Sequence, residues 1–164
     1  MTEPTAARPQ EAAVVVARQL TLAGQSLAVA ESLTGGLLAA ALVAVPGVSA
    51  VFRGGIVAYA TDLKHRLLDV PADLLALRGP VDPDVAAAMA AGVRLRCAAE
   101  WGLATTGVAG PTPLDGQPAG TVYVAVAGPG YAQVRRLDLP GDRPTVRSGT
   151  VTAALHLLTE ALGR

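Results

Sequence analysis

Leu27-Ala-Val-Ala-Glu-Ser-Leu-Thr-Gly-Gly36 is the stretch on which the fold turns. Four consecutive apolar residues suit a short strand buried on both faces, as in a sheet with helices on either side. The turn from Glu31 to Gly36 then leads into an apolar run over residues 37–45, stopped by Pro46-Gly47. That run is too short to cross a membrane and reads as a buried helix. A strand that hands over to a helix through a hydroxyl- and glycine-rich turn is the opening unit of an α/β domain.

Working outward, residues 9–23 repeat apolar positions at helical spacing, and Gly24 follows as a stop. Residues 52–60 read as a second strand whose start is weakened or bulged by Gly54-Gly55. Thr61 is placed to N-cap a short helix carrying Lys64. Pro71 stands where another helix begins, and Gly79-Pro80 ends it. Asp82-Pro83-Asp84 opens a long helix running to about residue 100. Residues 103–106 form a third strand, and a glycine-rich loop from Gly107 continues through Gly120. Residues 121–127 and 131–139 make a hairpin around Gly128-Pro-Gly130, and a last helix covers about residues 144–162. The expected fold class is α/β, a three-layer α/β/α sandwich with a mixed sheet, in a single domain over residues 1–164.

Composition narrows the function classes. Hydrophobic residues make up 51% of the 164 and aromatics only 3%, so the core must be built from Ala, Val and Leu. Lys plus Arg equals Asp plus Glu, 13 each, which gives no general attraction to nucleic acid. Arg135-Arg136 reads as a solvated strand edge. The single cysteine, Cys97, excludes an intrachain disulfide and a multi-cysteine zinc site; in its Ala-rich helix it reads as buried filler. Residues 1–11 are polar and lack a signal-peptide apolar core, so a cytoplasmic protein without membrane or nucleic-acid partners is expected.

Two segments carry candidate chemistry. At a strand-to-helix junction the first backbone N–H groups of the helix lack internal partners. Ser32 and Thr34, followed by Gly35 and Gly36, could therefore face an oxyanion or a phosphate; an ordinary Ser/Thr N-cap fits the same residues. The P-loop and nucleophile-elbow patterns are both absent. Lys64 is the only lysine in the chain. A lysine with a lowered pKa can act as general base to a serine, which arginine cannot, although a solvated helix lysine reads the same way. His65 and His156 form no metal-spaced cluster, and a Ser-His-Asp triad stays open because triads assemble in space. Thr106-Gly107 and Gly110 lie where a strand ends, the usual crevice of an open sheet. Arg147 could hold a phosphate or lie on the surface.

In order along the chain, Ala30-Glu-Ser-Leu-Thr-Gly-Gly36, Val57-Ala-Tyr59 with Lys64, Thr106-Gly-Val-Ala-Gly-Pro111, Gly120-Thr-Val-Tyr123 and Gly141-Asp-Arg143 with Arg147 resemble the C-terminal domain of the CinA (competence/damage-inducible) family. The resemblance covers about residues 11–162. It implies hydrolysis of the carboxamide of nicotinamide mononucleotide to nicotinate mononucleotide and ammonia, in an α/β/α domain that self-associates, without metal or other cofactor. It implies catalytic roles for Ser32, Ser49, Tyr59, Lys64 and Thr106, and substrate contacts at Thr34, Gly35, Gly36, Gly107, Gly110 and Arg147. In the implied reaction Ser32 attacks the carboxamide, and Lys64 takes its proton directly or through Tyr59. N–H groups at Gly35-Gly36, or Thr106, hold the oxyanion, and Arg147 meets the 5′-phosphate. Ser49 is an alternative nucleophile, with Ser32 then positioning the amide. Leu33 stands where a cysteine is common in the family, and Ala60-Thr-Asp-Leu63 replaces a Ser-Asn-Glu-Ala type of segment. No counterpart of the family's separate N-terminal domain is expected in these residues. The alternatives are a non-catalytic nucleotide sensor in competence or DNA-damage responses, and an amidase for another small carboxamide.

Overall fold

The computed structural model describes residues 8–164. Residues 1–7, most of the stretch read as lacking a signal-peptide core, lie outside them. The strands are β1 (Leu27–Glu31), β2 (Phe52–Val57), β3 (Trp101–Gly107), β4 (Thr121–Gly128) and β5 (Tyr131–Asp138). The helices are α1 (Pro9–Ala23), α2 (Leu37–Val43), α3 (Thr61–Leu68), α4 (Ala72–Arg78), α5 (Pro83–Arg96) and α6 (Arg143–Leu162). The sheet runs β2-β1-β3-β4-β5, with β1 parallel to both β2 and β3 and the β4–β5 hairpin added antiparallel.

Strand alternation sorts the core into two layers. Leu27 and Val29 of β1, Leu103 of β3 and Val122, Val124 and Val126 of β4 face α1, α2 and α6. Ala28, Ala30, Ala104, Ala125 and Ala127 face the opposite layer with α3, α4 and α5. The alanine face lets α5 lie close to the sheet. A Cβ on Gly102 of β3 would stand 2.0 Å from the Ala90 carbonyl oxygen of α5, and one on Gly92 of α5 would stand 1.9 Å from the Leu68 carbonyl oxygen at the end of α3. A core of small residues with few aromatics is thus a packing requirement of this layer.

Several element ends differ from the sequence expectation. Ala60, not Thr61, occupies the N-cap of α3; Thr61 is its first helical residue and makes no capping bond. Helix α2 ends at Val43, and it is only half-buried: Leu38, Ala41 and Leu42 face the core, whereas Leu37 is 40% and Val43 63% exposed. A two-turn surface helix has one face to bury, and alanine-rich composition hides which one. Helix α5 stops at Arg96 because Ala98 adopts a left-handed conformation (φ 49°), leaving Cys97 half-buried at the C-cap instead of in the core. Strand β2 ends at Val57, and its expected irregularity appears as a one-residue register skip at Arg53 between the Leu27–Phe52 and Ala28–Gly54 pairs. Asp82 and Asp142 cap α5 and α6 through side-chain bonds from the Val85 and Asp84, and the Thr145, N–H groups respectively.

The α3–α5 approach yields a direct test. Glycine to alanine in a helix interior is normally stabilising by about 1 kcal/mol. Gly92→Ala instead drives a Cβ into the Leu68 carbonyl, so urea unfolding should show a loss of about 1–3 kcal/mol. A gain would contradict the close packing described.

Candidate functional site

The parallel strands β1 and β3 leave the sheet side by side, and the connections from β1 to β2 and from β2 to β3 pass on opposite faces of the sheet. Their carboxyl ends therefore form the crevice expected at a topological switch point. A cavity of about 340 Å³ lies there, within the range of small-molecule sites. Ser32 and Lys64 lie at its buried floor, 8% and 0% exposed. Tyr59, Thr106, Gly107, Gly110 and Arg143 contribute to its walls and mouth.

Ser32 is fixed by its place in the sheet: its N–H donates to the Thr105 carbonyl of β3 at 3.1 Å, extending the β1–β3 ladder by one residue. Lys64 rises from the first turns of α3. Its Nζ lies 2.7 Å from the Ala58 carbonyl oxygen, 3.0 Å from Ser32 Oγ and 3.5 Å from the Tyr59 carbonyl oxygen. No carboxylate pairs with it among the described residues. A buried cation without a counter-charge is disfavoured, and desolvation lowers the Lys64 amine from its ordinary 10.5 to about 8. The neutral amine has two N–H groups and one lone pair. Two carbonyl acceptors and one hydroxyl surround it, so its lone pair is free to accept the Ser32 proton. Neither histidine lines the cavity; His65 Nδ1 instead meets the Val70 carbonyl at 2.8 Å.

The turn after Ser32 differs from the expectation in a way that matters chemically. Glu31, 1% exposed, bends its carboxylate onto the start of α2. Oε1 accepts from the Gly36 and Leu38 N–H groups at 3.2 and 2.9 Å, and Oε2 from Ala39 N–H at 3.0 Å. The Gly35 and Leu37 N–H groups donate to the Ser32 and Thr34 carbonyls. The helix start is thus satisfied internally, so Gly35 and Gly36 offer no free donor to an oxyanion or a phosphate. Their role here is conformational: both take positive φ, 56° and 104°, to make the turn. Sequence reasoning missed Glu31 as the cap; the available signal was a lone carboxylate ending an otherwise apolar strand.

The other expected residues divide similarly. Thr34 is fully buried, and its hydroxyl meets that of Thr105 at 2.8 Å, away from the cavity lining. Arg147 donates from Nε to the Leu33 carbonyl at 2.9 Å and from Nη2 to the Thr34 carbonyl at 3.0 Å, clamping the turn from behind instead of lining the cavity. Thr106 does line the cavity, but its one hydroxyl proton goes to the Pro80 carbonyl at 2.6 Å, which leaves none for an oxyanion. Tyr59 is 59% exposed, and its phenol oxygen accepts from Arg143 Nη2 at 3.1 Å; only the Tyr59 carbonyl reaches Lys64.

Ser49 is separated from the site within one chain. It sits on an exposed 3-10 turn, Val48–Ala50, at the amino end of β2, whereas Ser32 follows the carboxyl end of the parallel β1. Five strand residues intervene, on the order of 15 Å. Among the described residues, the N–H groups of Leu33, Ala109 and Gly110 have no protein acceptor, and all three residues line the cavity. With the Tyr59, Thr61 and Thr112 N–H groups, they are the cavity donors open to a developing oxyanion.

The lysine's burial has a thermodynamic signature. Below pH about 8 the amine is charged in both folded and unfolded chains, and the fold carries the full cost of burying it. Between about 8 and 10.5 the folded amine is neutral while the unfolded one stays protonated, so the cost fades as pH rises. A displacement from 10.5 to about 8 amounts to roughly 3 kcal/mol. The stability of Lys64→Met relative to the unmodified protein should therefore fall by about that amount between pH 7 and 10.5. Urea titrations across this range read the difference directly, and a difference independent of pH would show that the amine is not desolvated.

The chain matches the family model described as the CinA C-terminal domain over residues 9–162. It is 53% identical over 148 residues to a CinA-like protein of Frankia casuarinae, covering 90% of this chain and 34% of that one. A putative competence-damage inducible protein of Desulforamulus reducens is 50% identical over 143 residues, covering 87% and 35%. The chain thus spans about a third of the length of the curated relatives it matches. Among solved structures, a CinA superfamily protein from Klebsiella pneumoniae superposes with a TM-score of 0.92 at 35% identity, covering 96% of this chain and 99% of that one. The competence/damage inducible protein CihA from Agrobacterium tumefaciens gives 0.91 at 32% identity, covering 99% and 100%. By the family model, the identity to these relatives and the superposition on these structures, the chain belongs to the CinA C-terminal domain family.

Proposed function

We propose that this domain hydrolyses the carboxamide of nicotinamide mononucleotide, releasing ammonia and nicotinate mononucleotide, with Ser32 as nucleophile and Lys64 as general base. The observation that carries the reading is the 3.0 Å contact between Lys64 Nζ and Ser32 Oγ at the floor of a cavity. A serine with a lowered-pKa lysine as its partner is an acyl-transfer pair, and the family resemblance supplies the substrate.

The neutral amine accepts the Ser32 proton as Oγ bonds to the carboxamide carbon. The electron-withdrawing pyridinium makes that carbon more electrophilic, and the oxyanion falls to the Leu33, Ala109 and Gly110 N–H groups. The protonated Lys64 then donates to the departing nitrogen, giving ammonia and a nicotinoyl ester on Ser32. Water, deprotonated by the same amine, attacks the ester, and the protonated amine returns that proton to Ser32 Oγ as the acid leaves. Lys64 needs no relay through Tyr59, whose phenol is turned to Arg143.

Ammonia release from nicotinamide mononucleotide tests the reading. Because the base must be neutral, kcat/KM should rise with pH through a midpoint near 8 and then level. Lys64→Arg keeps the charge but cannot supply a lone pair, so its turnover should drop by about 10²–10⁴-fold, with nucleotide binding retained. Turnover should survive EDTA, since no step uses a Lewis acid. Substantial activity in Lys64→Arg would remove Lys64 from the role of base.

A further inference from the structure

We infer that Arg143, not Arg147, is the specificity-determining residue that holds a phosphate monoester of the substrate at the cavity mouth. The inference rests on the amidohydrolase reading for the substrate's other end, and it starts from how each arginine spends its donors. Both guanidinium contacts of Arg147 point to backbone carbonyls of the Ser32 turn, and Arg147 does not line the cavity. Arg143 does line it, from the exposed first residue of α6. Its Nη1 donates to the Gly110 carbonyl at 2.8 Å and its Nη2 to the Tyr59 phenol oxygen at 3.1 Å. These bonds tie the fork to both walls and leave three of its five N–H groups unspent.

The charge balance points to an anion. Arg143 pairs with no carboxylate among the described residues, and no Asp or Glu lines the cavity. The acids nearby in sequence are directed elsewhere. Asp142 accepts from the Thr145 N–H and hydroxyl, and Asp62 faces Arg66 at 3.8 Å. The cavity therefore has a buried amine at its floor and an unpaired, held guanidinium at its mouth. A ligand that places a neutral amide on Ser32 reaches the mouth with its opposite end. There a guanidinium fork with free N–H groups matches the oxygens of a phosphate monoester.

The test compares kcat/KM for nicotinamide mononucleotide with that for nicotinamide riboside, which lacks only the phosphate, in the unmodified protein and in Arg143→Gln. The nucleotide-to-nucleoside ratio should fall roughly 10- to 100-fold in the variant, through KM, as expected for loss of charge-assisted bonds. Arg143 also steadies Tyr59 and Gly110, and damage to that scaffold would lower both substrates together. An unchanged ratio would overturn the inference. If the unmodified protein releases ammonia from neither substrate, the amidohydrolase reading fails. Calorimetry with nicotinamide mononucleotide and the riboside then decides the anion site alone. Phosphate-dependent affinity weakened in Arg143→Gln supports it; equal affinities in protein and variant overturn it.

Discussion

An amine buried with no counter-charge is the constraint around which the rest of this domain is arranged. Lys64 is fully enclosed, and the groups that receive it are two backbone carbonyls and a serine hydroxyl. A carboxylate in either carbonyl's place would hold the amine protonated and leave no lone pair. The neutral acceptors come from Ala58 and Tyr59, where β2 has ended and α3 has not begun, so the position of the amine depends on that strand-to-helix break. Helix α3 is in turn held against α5 by the absence of a side chain at Gly92. The environment of the proposed base is thus built by chain geometry more than by neighbouring side-chain charge.

The Ser32 side follows the complementary logic. In the proposed reaction Ser32 must stand at the end of a strand without its turn shifting when a substrate enters. Glu31 accepts from the Gly36, Leu38 and Ala39 N–H groups at the helix start, Arg147 takes two carbonyls, and the Thr34–Thr105 hydroxyl contact closes the interior. With donors and acceptors consumed on the inner side, the turn is rigid and its outer edge, at Ser32 and Leu33, faces the cavity. Preorganisation of this kind favours acyl transfer because little reorganisation is left for the reacting complex. It also means that a glycine-rich turn before a helix is not automatically an anion site.

The sequence made the architecture legible because the elements are short, apolar and sharply punctuated. Leu27-Ala-Val-Ala30 suited a doubly buried strand, as found, and Asp82-Pro83 and the Gly128-Pro-Gly130 hairpin turn fixed their neighbours. Lys64 stood out as the lone lysine, and pattern resemblance joined it to Ser32. What stayed hidden was the direction of side chains. No periodicity tells that Glu31 turns onto its own helix, that Thr106 spends its proton on Pro80, or that of two arginines one turn apart on α6, Arg143 faces the cavity and Arg147 the turn. Ser49 was carried by resemblance alone, and only the parallel register of β1 and β2 shows how far from Ser32 it lies in the same chain.

The central claim, that a desolvated neutral amine serves Ser32, can be read without turnover because the chain has a single lysine. Protein labelled with 15N at the lysine Nζ gives one side-chain signal, and its chemical shift followed against pH reports the Lys64 titration alone. The account predicts one transition with a midpoint near 8. A midpoint at the ordinary lysine value of 10.5 would contradict it, for the amine would then stay charged through the pH range in which the domain is proposed to work.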